Sequence, residues 1–337
     1  MRHLCLALTL LRAVDAEKYV VWSEQALATS TKPTARALAS AGVAYDAGEV
    51  VVAGEFVWLF GGMDASQAGI TANTMFADVW LYTVTTRTWE EKTALANANS
   101  GATPTARRGA PMVVHLNQNA FVHGGESTGG VINADLWKLT LSRTAPRWEV
   151  IIGAITSESV SYTGVASSGA SPSARTRHTA TLIKLPWLSG KPQGIVVFGG
   201  KASNLQALSD VHAFAWTDTT NYNQGRWYQL TPDGAAPAAR MGHAAVEMLD
   251  TLIVMGGADP VASPPVKYAD VHVLSLTTST WITPVVVGSR APPGRDGHSV
   301  LKVGSTVYVF GGLSSAGERL NDLWSFNAYA TVAGQLE

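Results

Sequence analysis

The chain has 337 residues, of which 46% are hydrophobic and 15% charged, and this charged share lies well below the roughly 25% of an average soluble domain. Lys and Arg number 24 and Asp and Glu 25, and the net charge of -1 argues against a broad basic surface for nucleic acid. No apolar run reaches the ~18 residues of a membrane-spanning helix. The only cysteine, Cys5, excludes an intrachain disulfide framework and a cysteine-based zinc site.

The first residues have the pattern of a short secretory leader. Arg2 precedes an apolar stretch at residues 4–11, and Val14 and Ala16 form a small pair before a cleavage point. The sequence therefore predicts a leader at residues 1–16 and a secretory or extracellular location for the mature protein. The alternative is a retained N-terminal extension on a cytoplasmic protein. Residues 17–337 are predicted to form one domain.

One pattern recurs five times along this domain. A double glycine follows a short apolar run in each copy, at Gly61-Gly62, Gly124-Gly125, Gly199-Gly200, Gly256-Gly257 and Gly311-Gly312. An aspartate then opens the next apolar run, at Asp78, Asp135, Asp210, Asp270 and Asp322. A Pro-x-x-Arg element, shortened in the fifth copy, precedes each glycine pair and ends at Arg36, Arg107, Arg175, Arg240 and Arg295. Apolar runs that end in glycine are typical of buried strands followed by a sharp turn.

This repeat resembles that of the kelch-repeat β-propeller family over roughly residues 18–330. The double glycine, the tryptophans Trp89, Trp148, Trp227 and Trp281, and the Arg-x-x-His elements that end at His178, His243 and His298 carry the resemblance. It implies an all-β fold, a kelch-type β-propeller of four-stranded sheets stacked around an axis. Five blades are recognisable, and a sixth, degenerate blade is the alternative because kelch rings more often have six or seven.

The N-terminal part of the domain is predicted to close the ring. Residues 18–22 end at Trp22, which lies 14 residues before Arg36, and Trp281 lies 14 residues before Arg295. The fifth repeat has no tryptophan of its own at the outer-strand position. We therefore expect the N-terminal segment to supply the outer strand of the last blade.

The repeated arginines are the candidate binding residues. Arg36, Arg107, Arg175, Arg240 and Arg295 are predicted to form a ring on one face, where like charges repel unless they are compensated. One interpretation is an anionic ligand, since the guanidinium suits carboxylate or phosphate, and the family resemblance implies that such arginines can grip acidic peptides. The other is structural pairing with the five repeated aspartates. Arg108 and Arg177 lie outside the repeat pattern and are candidates for binding in either case.

No catalytic residue, cofactor or metal is predicted. His178, His243 and His298 share one repeated position, which favours a structural role, and His115 with His123 lacks a third metal ligand. The domain is predicted to be a non-catalytic binding or scaffolding module that engages a protein partner within a larger assembly, through an acidic peptide, or alternatively a glycan. A kelch-type sugar epimerase or mutarotase is the alternative function, with Glu126 as a candidate acid.

Overall fold

A computed structural model describes residues 31–34, 36–45, 55–64, 74–153, 165–168, 171–190, 192–262, 266–286, 291–327 and 335–336. The predicted leader and residues 18–22 lie outside this part of the chain. Within it, strands dominate and the longest helix has six residues. The all-β prediction is confirmed.

The first two repeats occupy residues 36–153. Repeat 1 comprises β1 (Arg36–Ala37), β2 (Ser40–Tyr45), β3 (Glu55–Phe60), β4 (Met63–Asp64), β5 (Val79–Thr83), β6 (Thr88–Glu91) and the helix α1 (Thr93–Ala98). Repeat 2 comprises β7 (Arg107–Arg108), β8 (Met112–His115), β9 (Asn119–His123), β10 (Glu126–Ser127), a short 3-10 turn (Thr128–Gly130), β11 (Val131–Ile132), β12 (Leu136–Thr140), β13 (Arg147–Val150) and β14 (Ile152–Gly153).

Three further repeats follow. Repeat 3 comprises β15 (Val165–Ser168), β16 (Thr179–Lys184), β17 (Gln193–Lys201), β18 (Ala207–Trp216), β19 (Gln224–Leu230) and β20 (Asp233–Gly234). Repeat 4 comprises β21 (Ala244–Met248), β22 (Thr251–Met255), β23 (Ala258–Asp259), β24 (Val266–Lys267), β25 (Val271–Ser275), β26 (Thr280–Ile282) and β27 (Val285–Val286). Repeat 5 comprises β28 (Arg295–Asp296), β29 (Ser299–Val303), β30 (Thr306–Phe310), β31 (Leu313–Ser314), β32 (Leu323–Asn327) and β33 (Gln335–Leu336).

Each repeat builds one antiparallel meander. The sheet orders are β2-β3-β5-β6, β8-β9-β12-β13, β16-β17-β18-β19, β21-β22-β25-β26 and β29-β30-β32. The first strands of successive sheets, β2, β8, β16, β21 and β29, lie beside one another and are the inner strands. Short pairings join the strand that carries the arginine to the loop after the double glycine, as in β7 with β10 and β28 with β31.

The outer strands connect one repeat to the next. After repeat 2, β14 pairs in parallel with the outer strand β19 of repeat 3, and β20 pairs in the same way with β26 of repeat 4. After repeat 4, β27 pairs in parallel with β33. The prediction that residues 18–22 form the outer strand of the last blade falls outside the described residues and stays a prediction.

The core lies between neighbouring sheets, because each meander has two apolar faces to bury. The outer-strand tryptophan of one repeat covers the residue before the double glycine of the preceding repeat. Trp148 packs on Phe60 with ring centroids 4.9 Å apart, and Trp281 packs on Phe198 at 5.4 Å. Large aromatic side chains contribute much of the buried area at such interfaces, which explains why the tryptophans recur in register with the glycines.

The double glycine is required by both conformation and space. Gly199 and Gly200 have φ of +61° and +102°. A Cβ on Gly200 would lie 2.7 Å from the Cβ of His178, and one on Gly199 would lie 2.9 Å from the carbonyl oxygen of Arg240 in the next repeat. Only glycine meets both conditions without strain, so the pair lets adjacent repeats approach closely where the arginine element lies.

Candidate functional site

Each repeated arginine is paired with the aspartate of its own repeat. In all five repeats Nη1 and Nη2 donate to the two carboxylate oxygens of the aspartate over 2.6–2.9 Å. Nη1 also donates to the carbonyl of the first glycine of the pair, and Nε donates to the carbonyl two residues before the arginine. The Pro-x-x-Arg element, the glycine pair and the aspartate are thus one hydrogen-bonded unit.

Two of these arginines use every donor they have. Arg107 and Arg175 each receive an additional side-chain acceptor, the hydroxyl oxygens of Thr105 and Ser173. The two guanidinium groups therefore make five hydrogen bonds each. Arg175 is completely buried, and a group with no unused donor and no exposed surface is suited to holding the fold together.

Each aspartate has a second partner that the sequence pattern did not reveal. The residue two positions after each aspartate contacts Oδ2 through its ring nitrogen. Nε1 of Trp80, Trp137 and Trp324 donates at 2.6–2.7 Å, and Nε2 of His212 and His272 lies at 3.0 Å. Tryptophan and histidine can replace one another at this position because either ring places a nitrogen within hydrogen-bond distance of the aspartate.

These contacts lower the pKa of several of the repeated aspartates and keep them ionised. Burial by itself raises the pKa of Asp210 and of Asp270, but hydrogen bonds from the paired arginine and the nearby histidine outweigh burial and hold both values well below the usual range. The hydrogen bond from Arg295 lowers the pKa of Asp322 to about 2. The aspartate is also the more exposed member of each pair, so solvent at these five positions meets carboxylate before guanidinium.

The structure therefore has the geometry of the pairing interpretation. Arg36, Arg107, Arg175, Arg240 and Arg295 lie behind their aspartates, with side chains at most 6% exposed. A role of these five in ligand binding stays a prediction. Arg108 and Arg177 do not take part in these Arg–Asp pairs. Their side chains bind Glu126 and Asp296 instead.

A backbone ladder joins the repeats two residues after each arginine. The amide of Gly109 donates to the carbonyl of Leu38, Arg177 to Gly109, Gly242 to Arg177 and Gly297 to Gly242, over 2.7–2.9 Å. All five ladder residues have φ between 55° and 64°, in the left-handed region. Because the ladder steps from one repeat to the next beside the inner strands, it marks the place where the repeats converge, called the mouth below.

Six charged side chains form two networks at this mouth. Glu126 accepts from Nη2 of Arg108 at 2.8 Å and lies 3.9 Å from Nζ of Lys201 in repeat 3. Asp296 accepts hydrogen bonds from Nη2 of Arg177 and from Nζ of Lys267, both at a distance of 2.5 Å. We call Arg108, Glu126, Arg177, Lys201, Lys267 and Asp296 the mouth cluster. Its four cations outnumber its two carboxylates.

The sequence identified only part of the mouth cluster. Arg108, Arg177 and Glu126 were singled out there, whereas Lys201, Lys267 and Asp296 were not. Lys201 directly follows a double glycine and Asp296 directly follows a repeated arginine. These are positions at which the five repeats carry different residues, and that difference within a regular repeat is the signal that could have found them.

The histidines have structural surroundings. Nε2 of His178 lies 2.9 Å from Nδ1 of His123, and Nε2 of His243 lies 2.9 Å from Oγ1 of Thr179. His115 lies at the other end of the hairpin from His123 and stacks on Trp216 with centroids 4.4 Å apart. Within the described ranges, no group of three or more His, Cys, Asp or Glu side chains could hold a metal ion.

Comparison with known proteins agrees with this architecture. The family model "Attractin/LZTR1 beta-propeller" matches residues 57–263, more than half of the chain, and "KLHDC2/KLHL20/DRC7 Kelch-repeats domain" matches residues 192–336. The chain belongs to the kelch-repeat β-propeller family. The structure of YjhT is similar to this kelch propeller with a TM-score of 0.59 and 17% identity, covering 87% of this chain and 81% of the other. At that identity the likeness shows the fold alone.

Curated relatives are similar over part of their length. The kelch chain is 28% identical over 246 residues to Tip elongation aberrant protein 1 of Schizosaccharomyces pombe, covering 72% of this chain and 19% of that protein. It is 26% identical over 257 residues to Multiple epidermal growth factor-like domains protein 8 of Rattus norvegicus, covering 72% and 8%. It is 31% identical over 118 residues to Kelch domain-containing protein 3 of Homo sapiens, covering 35% and 28%. The chain thus spans less than a third of each of these relatives.

Helices contribute little to this kelch domain. In the part of the chain that the structure describes, no helix has the length and apolar character to cross a membrane.

Proposed function

We propose that this domain is a non-catalytic binding module that takes an acidic protein segment at the mouth of the arginine face. The mouth cluster carries this proposal, because its four cations face only two carboxylates. The side chains of Arg108, Arg177, Lys201 and Lys267 are 14–24% exposed, unlike the repeated arginines. A partly desolvated site with excess positive charge attracts carboxylates more strongly than an open surface does.

Exposed aliphatic residues lie on the loops that carry Glu126, Lys201 and Lys267. The loop after the double glycine presents such residues in each of repeats 2 to 5, namely Val131, Leu205, Val261 with Val266, and Leu313. Apolar side chains beside a charged centre fit a peptide that carries acidic residues flanked by aliphatic ones. This arrangement supports a protein segment as the occupant in preference to a glycan.

The first test is the binding of a fluorescein-labelled deca-glutamate peptide by the full chain. Replacement of both mouth arginines, Arg108→Met and Arg177→Met, is expected to weaken binding at least tenfold, because each charge-assisted hydrogen bond contributes about 1.5–3 kcal/mol. Fluorescence anisotropy at low ionic strength measures the dissociation constant. Arg147→Met is the matched control, since Arg147 is half exposed and lies outside the mouth cluster. Equal affinity of the double variant and the wild-type chain contradicts the proposal.

A sugar-converting enzyme is the alternative function, and the same purified chain can be used to test it. Glu126, its candidate acid, lies between two cations and is engaged by Arg108. Turnover of a sugar anomer that disappears in Glu126→Gln would overturn the non-catalytic assignment.

We also propose a ring of five repeats that the N-terminal segment closes. In repeat 5, Tyr308 and Phe310 are half-buried. The equivalent residues of repeat 4, Ile253 and Met255, are buried against the sheet of the next repeat. Deletion of residues 17–24 is expected to lower the melting temperature by about 4 °C or more, equivalent to ~2 kcal/mol for a domain of this size. Differential scanning calorimetry measures the shift, and a change of less than a degree would refute the closure.

A further inference from the structure

Arg177 occupies a ladder position where repeats 2, 4 and 5 have glycine. Its φ is 55°, and an L-residue with a side chain pays conformational strain there that Gly109, Gly242 and Gly297 avoid. Strained residues persist where their side chains perform a task that outweighs the strain.

This side chain reaches across one whole repeat. It starts in repeat 3, passes over Gly242 of repeat 4 and ends on Asp296 of repeat 5, where Nη2 donates to Oδ2 over 2.5 Å. A Cβ on Gly242 would lie 2.9 Å from this nitrogen, so glycine leaves the room in which the guanidinium lies. We call the Arg177–Asp296 contact the mouth strap.

The guanidinium of Arg177 is incompletely used. Its Nε is buried and has no hydrogen-bond partner within the described residues, and Nη1 faces the thioether sulfur of Met241 at 3.7 Å. Arg107 and Arg175, by contrast, use all five donors. A guanidinium with an unused Nε–H can bind a carboxylate more completely than Asp296 alone allows.

Asp296 presents to Arg177 the chemical group that an acidic ligand would present. It directly follows Arg295, at a position where the other repeats have Ala37, Arg108, Thr176 and Met241. Its side chain is 7% exposed, and its second oxygen accepts from Lys267, which also donates to the carbonyl of Leu313 at 3.0 Å. The carboxylate is therefore held in place independently of Arg177.

We propose that the mouth strap is an autoinhibitory contact, in which Asp296 occupies Arg177 until an acidic ligand displaces it. This inference rests on the proposed function, since it concerns the same mouth. A ligand that needs Arg177 binds with an affinity reduced by the fraction of molecules in which the strap is open. If the strap is closed in nine of ten molecules, the apparent dissociation constant is about tenfold higher than that of the open form. Other changes that remove Asp296 from Arg177 would activate binding in the same way.

The test compares the wild-type chain with four full-length variants, using the deca-glutamate probe. Asp296→Asn is expected to bind about tenfold or more tightly than the wild-type chain, and Arg177→Met to bind more weakly. The double variant Asp296→Asn/Arg177→Met is expected to bind no more tightly than Arg177→Met alone, because the gain acts through Arg177. Asp250→Asn removes one negative charge at a hairpin turn away from the mouth and is expected to have wild-type affinity.

The outcomes separate the strap from general charge and from the proposed function. A gain in Asp296→Asn that persists without Arg177, or that Asp250→Asn shares, overturns the strap, and so does the lack of any gain. Unchanged binding in the double variant Arg108→Met/Arg177→Met overturns the proposed function itself. Should Asp296→Asn fail to fold, nitrogen-15 NMR of arginine side chains in the wild-type chain decides: the Arg177 signals must shift as the probe saturates, and an unshifted Arg177 in the saturated complex overturns the strap.

Discussion

Arg175→Met is expected to lower the free energy of unfolding by about 3 kcal/mol, because it removes the fully buried partner of an ion pair together with that partner's hydrogen bonds to backbone carbonyls. The variant keeps the volume of the side chain but removes five hydrogen bonds. Among the described residues, the Asp210 carboxylate then keeps its contact with His212, and the carbonyls of Gly199 and Ser173 lose the hydrogen bonds from Arg175. The loss is large relative to the 5–15 kcal/mol of total stability that is typical of a domain.

Chemical denaturation followed by tryptophan fluorescence measures this loss. Arg147→Met is the matched control, because Arg147 is half exposed and pairs with Glu149 on the surface. We expect the control to lose less than about 1 kcal/mol. A loss in Arg175→Met as small as that of the control would show that the repeated Arg–Asp pairs do not hold the repeats together.

Mild acid is expected to destabilise the domain well before the aspartates take up protons. Burial lowers the pKa of His123 and of His243 to about 3 and that of His298 to about 4, and it holds the pKa of His178 well below its usual range. Because each pKa is lower in the folded chain, the unfolded chain binds more protons below pH 6.5. The free energy of unfolding therefore falls as the pH decreases from about 6.5 towards 3, by about 2 kcal/mol at pH 5 for each of His123, His243 and His298.

Melting temperatures measured from pH 7.5 to pH 3.5 test this expectation. His243→Ala is the informative variant, since Ala39 and Ala110 stand at the equivalent position in repeats 1 and 2. It is expected to be less stable at pH 7.5 but to show a shallower decline between pH 6.5 and pH 4. The same decline in both chains, or a decline that begins only below pH 4, would assign the acid sensitivity to other groups.

The histidines show which contacts the repeat pattern can predict and which it cannot. Recurrence of His178, His243 and His298 at one position predicts a structural role, and the structure buries all three against the first glycine of the preceding repeat. The pattern contains no information about His123, which takes the place of a phenylalanine and meets His178 across a sheet interface. That contact depends on how two sheets stack, and stacking is not encoded in any single repeat.

For the repeated arginines, too, local spacing predicts part of the arrangement and the folded structure decides the rest. Their spacing from the glycine pair and the aspartate is local, so the sequence correctly places all three elements together and offers pairing as one of two interpretations. The choice between pairing and a free cationic ring needs the side-chain geometry. Both oxygens of each aspartate lie within 2.9 Å of guanidinium nitrogens, a distance that follows from the fold of the loop around the first glycine.

By itself the sequence determined the all-β class, the kelch repeat and the strands of each meander, because every copy repeats the same short-range chemistry of apolar runs, glycine turns and buried tryptophans. Only the tertiary structure decided which charges meet at the mouth. Arg177 and Asp296 are 119 residues apart, in repeats that are not neighbours along the chain. Their contact exists because the inner strands converge and Gly242 leaves space between them, and no local pattern specifies where side chains from separate sheets come together.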